Sequence, residues 1–175
     1  MSAGATILYF AFGANTCRDV LVRRRGIVPI ASEAAELADH RLAFVQRGVP
    51  LLEPAFASVV PSPGARVHGV LHELRTHDME RLDRMESGGY ARLERSVIGR
   101  RRGAVPAQLY ITRAPRHGLS PSRRYRDLLV RGAREHDLPA SWIEELDAIP
   151  CSHVPGISDA MPWIVRILDH VIRAR

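Results

Sequence analysis

The sequence predicts an α+β fold in which a mixed, barrel-like β-sheet carries peripheral helices. Three features predict it. Strand-like segments crowd the first two thirds of the chain, helical periodicity takes over from Ser120 onward, and no regular βαβ alternation links the two. A length of 175 residues suits one hydrophobic core and is short for two, so one domain over 1–175 is expected.

The first strand is the apolar run Ile7-Leu8-Tyr9-Phe10-Ala11-Phe12, which breaks at Gly13-Ala14-Asn15. A helix over Cys17–Arg25 should follow, with Thr16 as N-cap and Asp19 three residues later in place of the usual glutamate of a capping box. Further strands are expected at Arg41–Phe44, Phe56–Val60, Val67–Leu74, Arg92–Ile98 and Val105–Ile111, between Gly- and Pro-rich turns. The loop around Val49–Pro54 and the turn Arg100–Gly103 are the expected flexible points. Thr76 to Glu86 reads as a short helix, N-capped by Thr76 and stopped by Ser87-Gly88-Gly89. Ser120-Pro121 opens a helix on which Tyr125, Leu128, Leu129, Gly132 and Ala133 repeat at helical spacing. A shorter helix follows Pro139, with Trp142, Leu146 and Ile149 on one side. After Pro155-Gly156, a last helix capped near Ser158 carries the stripe Trp163, Ile164, Ile167, Leu168 and Val171.

Hydrophobic content of 46% and charged content of 25% fit a soluble globular protein. No apolar run approaches the roughly 20 residues of a membrane helix, and no basic region precedes the N-terminal apolar stretch. A cytoplasmic protein with no membrane partner is expected. Cys17 and Cys151 form neither a metal nor a redox motif, which agrees with a reducing compartment. His68 and His72 share a strand face, but no carboxylate or cysteine completes a ligand set, so no metal is expected.

All 25 basic residues are arginine, and the net charge is +6. This one-sided usage points to codon bias more than to a binding adaptation. The runs Arg23–Arg25, Arg100–Arg102 and Arg123-Arg124 would attract phosphates, yet aromatic residues amount to 6% and are not interleaved with them. Solvated faces and no nucleic-acid partner are expected. A charged small-molecule substrate would be drawn by the same field, and a homodimer is left open.

Two places carry chemistry. Gly13 and Asn15, the only asparagine of the chain, sit at a strand-to-helix junction where exposed amides and a helix dipole favour an anion. An ordinary tight turn is the alternative. Glu86 lies seven residues after Met79 and four after Leu82, on the apolar side of its helix, where an acid is out of place. Desolvation and the negative helix end would both disfavour its anion and prepare it for general acid/base work. The alternative is a frayed end in water or a pair with a nearby arginine. Tyr90, Tyr110 and Tyr125 either satisfy core hydrogen bonds or orient a polar substrate beside Glu86.

These pieces resemble the γ-glutamylcyclotransferase family, which includes AIG2-like proteins. LYFAFGAN at Leu8–Asn15 is similar to the family's glycine loop, usually Tyr-Gly-Ser-Asn after an apolar strand. GVLHEL at Gly69–Leu74 and LDRMESGGY at Leu82–Tyr90 resemble its strand, catalytic glutamate and following tyrosine, and Ser120–Ile149 resembles its C-terminal helical part. The resemblance implies a mixed barrel fold, Glu86 as catalytic acid/base, and a γ-glutamyl substrate held by Phe12, Gly13, Ala14, Asn15, Tyr90, Tyr110 and Tyr125. It also implies no cofactor. Phe12 and Ala14 replace the family's tyrosine and serine, and Ser87 stands where glycine is usual.

The implied reaction converts a γ-glutamyl amino acid to 5-oxoproline and free amino acid through attack by the substrate's own α-amine. The loop amides would bind either the α-carboxylate or the oxyanion. One alternative keeps the chemistry and changes the leaving group to an amine or a protected biosynthetic intermediate. Another is a non-enzymatic basic binding module.

Overall fold

The computed structural model describes residues 5–50 and 52–152. The expected last helix, with Trp163 to Val171, lies outside the described residues.

Strand β1 (Thr6–Ala11) pairs antiparallel with β3 (Glu53–Arg75), and β3 pairs antiparallel with β2 (Ala31–Val49). β2 pairs with β4 (Tyr90–Gly99), and β4 forms a hairpin with β5 (Gly103–Thr112). A parallel pairing of Tyr9 with Gln108 returns β5 to β1 and closes the barrel. The mixed, barrel-like sheet expected from the sequence is therefore present. Both faces of β1 are covered. Phe10 joins Phe12, Leu37, Val59, Leu71 and Leu109 in one core cluster, whereas Tyr9 and Ala11 join Leu74, Met79 and Leu82 in another. A strand buried on both sides has no need of polar alternation, which explains its unbroken apolar run.

Phe56–Val60 and Val67–Leu74 prove to be two parts of the single strand β3, which continues through Pro61 and Pro63. Opposite this stretch β2 shifts register between Ala38 and His40, and Asp39 adopts φ 55°. The Asp39 carboxylate accepts a hydrogen bond from the Gly64 amide at 2.8 Å, so a side chain replaces the missing ladder bond. Arg41–Phe44 is likewise only the middle of β2. Its first half is rich in Ala and Glu, weak strand formers, and is held by continuous pairing from Ala31 opposite Glu73 to Ala38 opposite Arg66. The loop expected around Val49–Pro54 shrinks to a short hairpin connection, since Val49 already pairs with Glu53.

Helices α1 (Thr76–Glu86), α2 (Arg123–Glu135) and α3 (Ala140–Asp147) surround the barrel. Among the described residues no helix is long and apolar enough to cross a membrane. Two expected caps are corrected. Arg75, not Thr76, is the N-cap of α1, because the Thr76 hydroxyl donates to the Ala5 carbonyl at 2.8 Å and ties the helix to the start of β1. The helix expected over Cys17–Arg25 is a 3-10 turn at Ala14–Thr16 followed by a π-helical stretch at Asp19–Arg24. Thr16 does not cap it; its hydroxyl donates to the Gly13 carbonyl at 2.9 Å.

The cause is the approach of α2. A Cβ on Gly132 would lie 2.2 Å from Thr16 Oγ1 and 2.7 Å from the Cys17 nitrogen. The Arg18 amide, at the start of the π-helical stretch, donates to Glu135 Oε2 at 2.7 Å. A carboxylate of the chain itself thus satisfies the first amide of the π-helical stretch. Helix α2 opens at Ser122, two residues beyond the expected Ser120-Pro121, and the Ser122 side chain accepts from the Tyr125 amide at 3.1 Å.

The arginine runs are also more than solvated faces. Arg102 donates to Glu33 at 3.0 Å and to Glu73 at 2.6 Å, and Arg124 donates to Glu53 at 2.7 Å. Glu33 and Glu53 are buried, and a buried carboxylate requires a countercharge or strong donors. Glu53 also accepts from the amide and hydroxyl of Ser122, which fixes the start of α2 and so the position of Tyr125.

Candidate active site

At one end of the barrel, the C-terminal end of β1 meets the last turn of α1, the far part of β2 and the first turn of α2. They enclose a cavity of about 340 Å³. Every site residue expected from the sequence lines it: Glu86, Phe12, Gly13, Ala14, Asn15, Tyr90, Tyr110 and Tyr125. A larger cavity of about 690 Å³ lies between β2 and α3 and contains none of them. The smaller cavity is the chemical one, because there a carboxylate, hydroxyls and free backbone amides converge.

Glu86 closes α1 on the side of Met79 and Leu82, and its side chain is 13% exposed. The expected inward projection is therefore found. The arginine partner weighed as an alternative is found as well: Arg25 Nη1 lies 2.6 Å from Glu86 Oε1. Inward projection and an arginine partner thus coexist at Glu86.

The glycine loop approaches α2 closely. A Cβ on Gly13 would come within 3.1 Å of the Tyr125 hydroxyl. That hydroxyl accepts from the Ala57 amide at 3.2 Å, while the Tyr90 hydroxyl donates to the Ala57 carbonyl at 3.0 Å. One residue of β3 thus anchors both tyrosines. Among the described residues the amides of Gly13 and Asn15 have no acceptor, whereas those of Thr16 and Cys17 bond back to Gly13 and Ala14. Asn15 is buried and donates from Nδ2 to the Tyr9 hydroxyl at 2.8 Å. Tyr9 accepts there, so its own proton is available for another partner. Tyr110 combines the two stated alternatives. Its ring lines the cavity, but its hydroxyl donates to Asp83 Oδ1 at 2.8 Å. Phe12 presents a ring and packs on Phe10, and Ala14 presents a methyl group.

Burial holds all four tyrosines in the phenol form. Tyr9 is raised by burial and then by the charge of Glu86, against the Asn15 hydrogen bond. Tyr90 is raised by burial, then by Tyr125 and Glu86, and Tyr110 by burial, then by Asp83. Burial pushes Tyr125 up to about 12, although backbone hydrogen bonding from Ala57 and Ala14 opposes it. The Tyr9 and Tyr125 hydroxyls, which accept from Asn15 and Ala57, therefore keep protons to donate into the cavity, whereas those of Tyr90 and Tyr110 are spent on Ala57 and Asp83. No group of three or more His, Cys, Asp or Glu suited to a metal occurs among the described residues.

The model of the AIG2-like family matches residues 66–146. The sequence is 29% identical to a γ-glutamylcyclotransferase of Mus musculus, over 93% of this chain and 89% of that protein. It is 28% identical to the γ-glutamyl cyclotransferase gliK of Aspergillus fumigatus, over 95% of this chain and 74% of the relative. A solved γ-glutamyl cyclotransferase superposes with a TM-score of 0.76 at 25% identity, covering 91% of this chain and 99% of its own.

The chain is similar to γ-glutamylcyclotransferases over most of its length.

Phe12 and Ala14 present no hydroxyl to the cavity wall. The wall also includes residues not expected from the sequence: Tyr9, Arg25, Gln46, Arg47, Phe56, Ala57 and Met85. Arg25 was visible only as the end of an arginine run. Tyr9 had a signal, as the single polar-tipped side chain in the apolar run Ile7–Phe12.

Proposed function

We propose that this chain is a γ-glutamylcyclotransferase that releases 5-oxoproline and a free amino acid from a γ-glutamyl amino acid. The observation that carries this reading is the convergence of Glu86 with the Gly13–Asn15 loop in one partly enclosed cavity. The γ-glutamyl group carries its own nucleophile, so the protein has to fold the chain, remove a proton and return one. The Glu86 carboxylate, hydrogen-bonded to Arg25, accepts the proton of the α-ammonium. The freed amine attacks the γ-carbonyl carbon, and a C–N bond forms that closes a five-membered ring. The protonated Glu86 then delivers its proton to the departing nitrogen as the amide bond breaks, and the second proton that the ring nitrogen sheds passes to the released amine, which leaves as the ammonium.

The unbonded Gly13 and Asn15 amides suit either the α-carboxylate or the oxyanion, and the Tyr9 proton is a further donor at the same end. Ring closure is intramolecular, so positioning by the tyrosine wall supplies much of the acceleration. Phe12 and Ala14 favour the second reading, in which the leaving group is an amine. A basic binding module is less well supported, because arginines from each run are engaged by carboxylates. A cytoplasmic setting and a place in glutathione-related metabolism go with the main reading.

The test is 5-oxoproline release from γ-glutamyl amino acids and γ-glutamyl amines by wild type and Glu86→Gln. Turnover by the wild type that is lost in the variant supports reaction and residue together. Equal activity in both would remove Glu86 from the mechanism.

A further inference from the structure

Three charged side chains line the candidate active site: Arg25, Glu86 and Arg47. Arg25 and Glu86 neutralise each other at 2.6 Å. Arg47 is left over. Among the described residues its guanidinium makes no hydrogen bond or ion pair; its backbone carbonyl accepts from Gln46 Nε2 at 3.1 Å. The cavity therefore carries one net positive charge that nothing within it balances.

The cavity also has a direction. Its buried end holds Asn15, Tyr9 and Tyr125, each less than a tenth exposed. Its open end holds Arg47 and Met85, both exposed. Glu86 and the free loop amides require the glutamyl half toward the buried end, so the leaving group extends toward Arg47. The backbone beneath Arg47 is fixed. Arg47 pairs with Ala55 across the hairpin, and neighbouring Gln46 accepts from the Thr112 hydroxyl and lies against Gly89, where a Cβ would approach it to 2.6 Å.

We propose that Arg47 is a specificity-determining residue that receives the carboxylate of a leaving amino acid. The proposal rests on the cyclotransferase reading and deepens it by naming the leaving-group class. Charge balance agrees. A γ-glutamyl amino acid has two carboxylates and one ammonium and complements a cavity of net charge +1. A γ-glutamyl amine has one of each and leaves Arg47 unanswered.

The matched pair γ-glutamylalanine and γ-glutamylethylamide differs by the leaving-group carboxylate alone. 5-Oxoproline release from both is measured for wild type, Arg47→Met and Arg47→Lys. Wild type should prefer the alanine compound. Arg47→Met should raise its KM by roughly 10-fold to 100-fold, the loss expected for one charge-assisted hydrogen bond, with kcat little changed. The ethylamide should lose far less, and Arg47→Lys should restore part of the preference. Equal losses on both substrates would mean that Arg47 serves the glutamyl half, and would overturn the proposal. So would an unchanged preference in Arg47→Met, or a wild type that favours the ethylamide. Silence of wild type on both compounds would sink the cyclotransferase reading itself, and this proposal with it.

Discussion

Arg25 Nη1 stands 2.6 Å from Glu86 Oε1, joining the end of the π-helical stretch to the end of α1 across the wall of the cavity. The two side chains are 24% and 13% exposed, so the pair is neither solvated nor fully buried. Both side chains line the cavity, so the ion pair is part of its wall.

Arg25→Met would leave Glu86 charged and unpaired. A loss of about 1–2 kcal/mol is expected, below the value for a fully buried pair because water reaches part of this one. Adding Glu86→Gln should recover most of that loss, since the amide needs no countercharge. Urea denaturation of the two single variants and the double variant measures this coupling. Additive losses would show that the two side chains do not stabilise each other.

Gly13→Ala tests how tightly the loop is seated. The new methyl would meet the Tyr125 hydroxyl at 3.1 Å and the Ala57 Cβ at 3.6 Å. The hydroxyl must then move off the Ala57 amide, so turnover should fall by about tenfold or more, the cost of misplacing a positioning group. Tyr125→Phe in the same chain removes the obstructing oxygen and should restore stability to the Gly13→Ala protein without restoring full turnover. Thermal melting of the single and double variants separates the steric effect from the chemical one.

Gly132→Ala reverses an ordinary rule. In an open helix the change gains about 1 kcal/mol. In α2 the added carbon would lie 2.7 Å from the backbone nitrogen of Cys17, which has no room to yield. A loss of about 1–3 kcal/mol is expected from overpacking. Any gain in urea midpoint would show that α2 can retreat from the loop.

Most strands were legible because alternation and turn residues are local signals. Glu86 was legible because an acid interrupts a helical apolar face. The first half of β2 was not, since Ala and Glu favour helix and only pairing with β3 makes that segment extended. The π-helical stretch escaped for the same reason: Gly132 and Glu135, more than a hundred residues away, set its geometry. Arg25 and Arg47 could not be separated from the other arginines by type or spacing. What distinguishes them is the cavity they line.

His72 gives the barrel an acid limit. It is 2% exposed, stacks on Tyr9 and shares a 2.8 Å hydrogen bond with Ser32. Burial, then the nearby His136, lowers its pKa to about 3, and burial lowers His136 too. The unfolded chain takes up this proton below about 6.5, while the folded chain refuses it until about 3. Between those values the unfolded state binds more protons, so stability falls as pH falls, by about 1.4 kcal/mol per unit. From pH 6.5 to 5 the loss attributable to His72 is about 2 kcal/mol. His72→Gln keeps a polar partner for Ser32 and cannot titrate. Its urea midpoint should therefore change less between pH 7 and 5 than that of wild type, whatever its stability at pH 7. The contribution of His136 is common to both proteins and cancels in the comparison. Parallel pH profiles would mean that His72 accepts its proton in the folded barrel as readily as in the open chain.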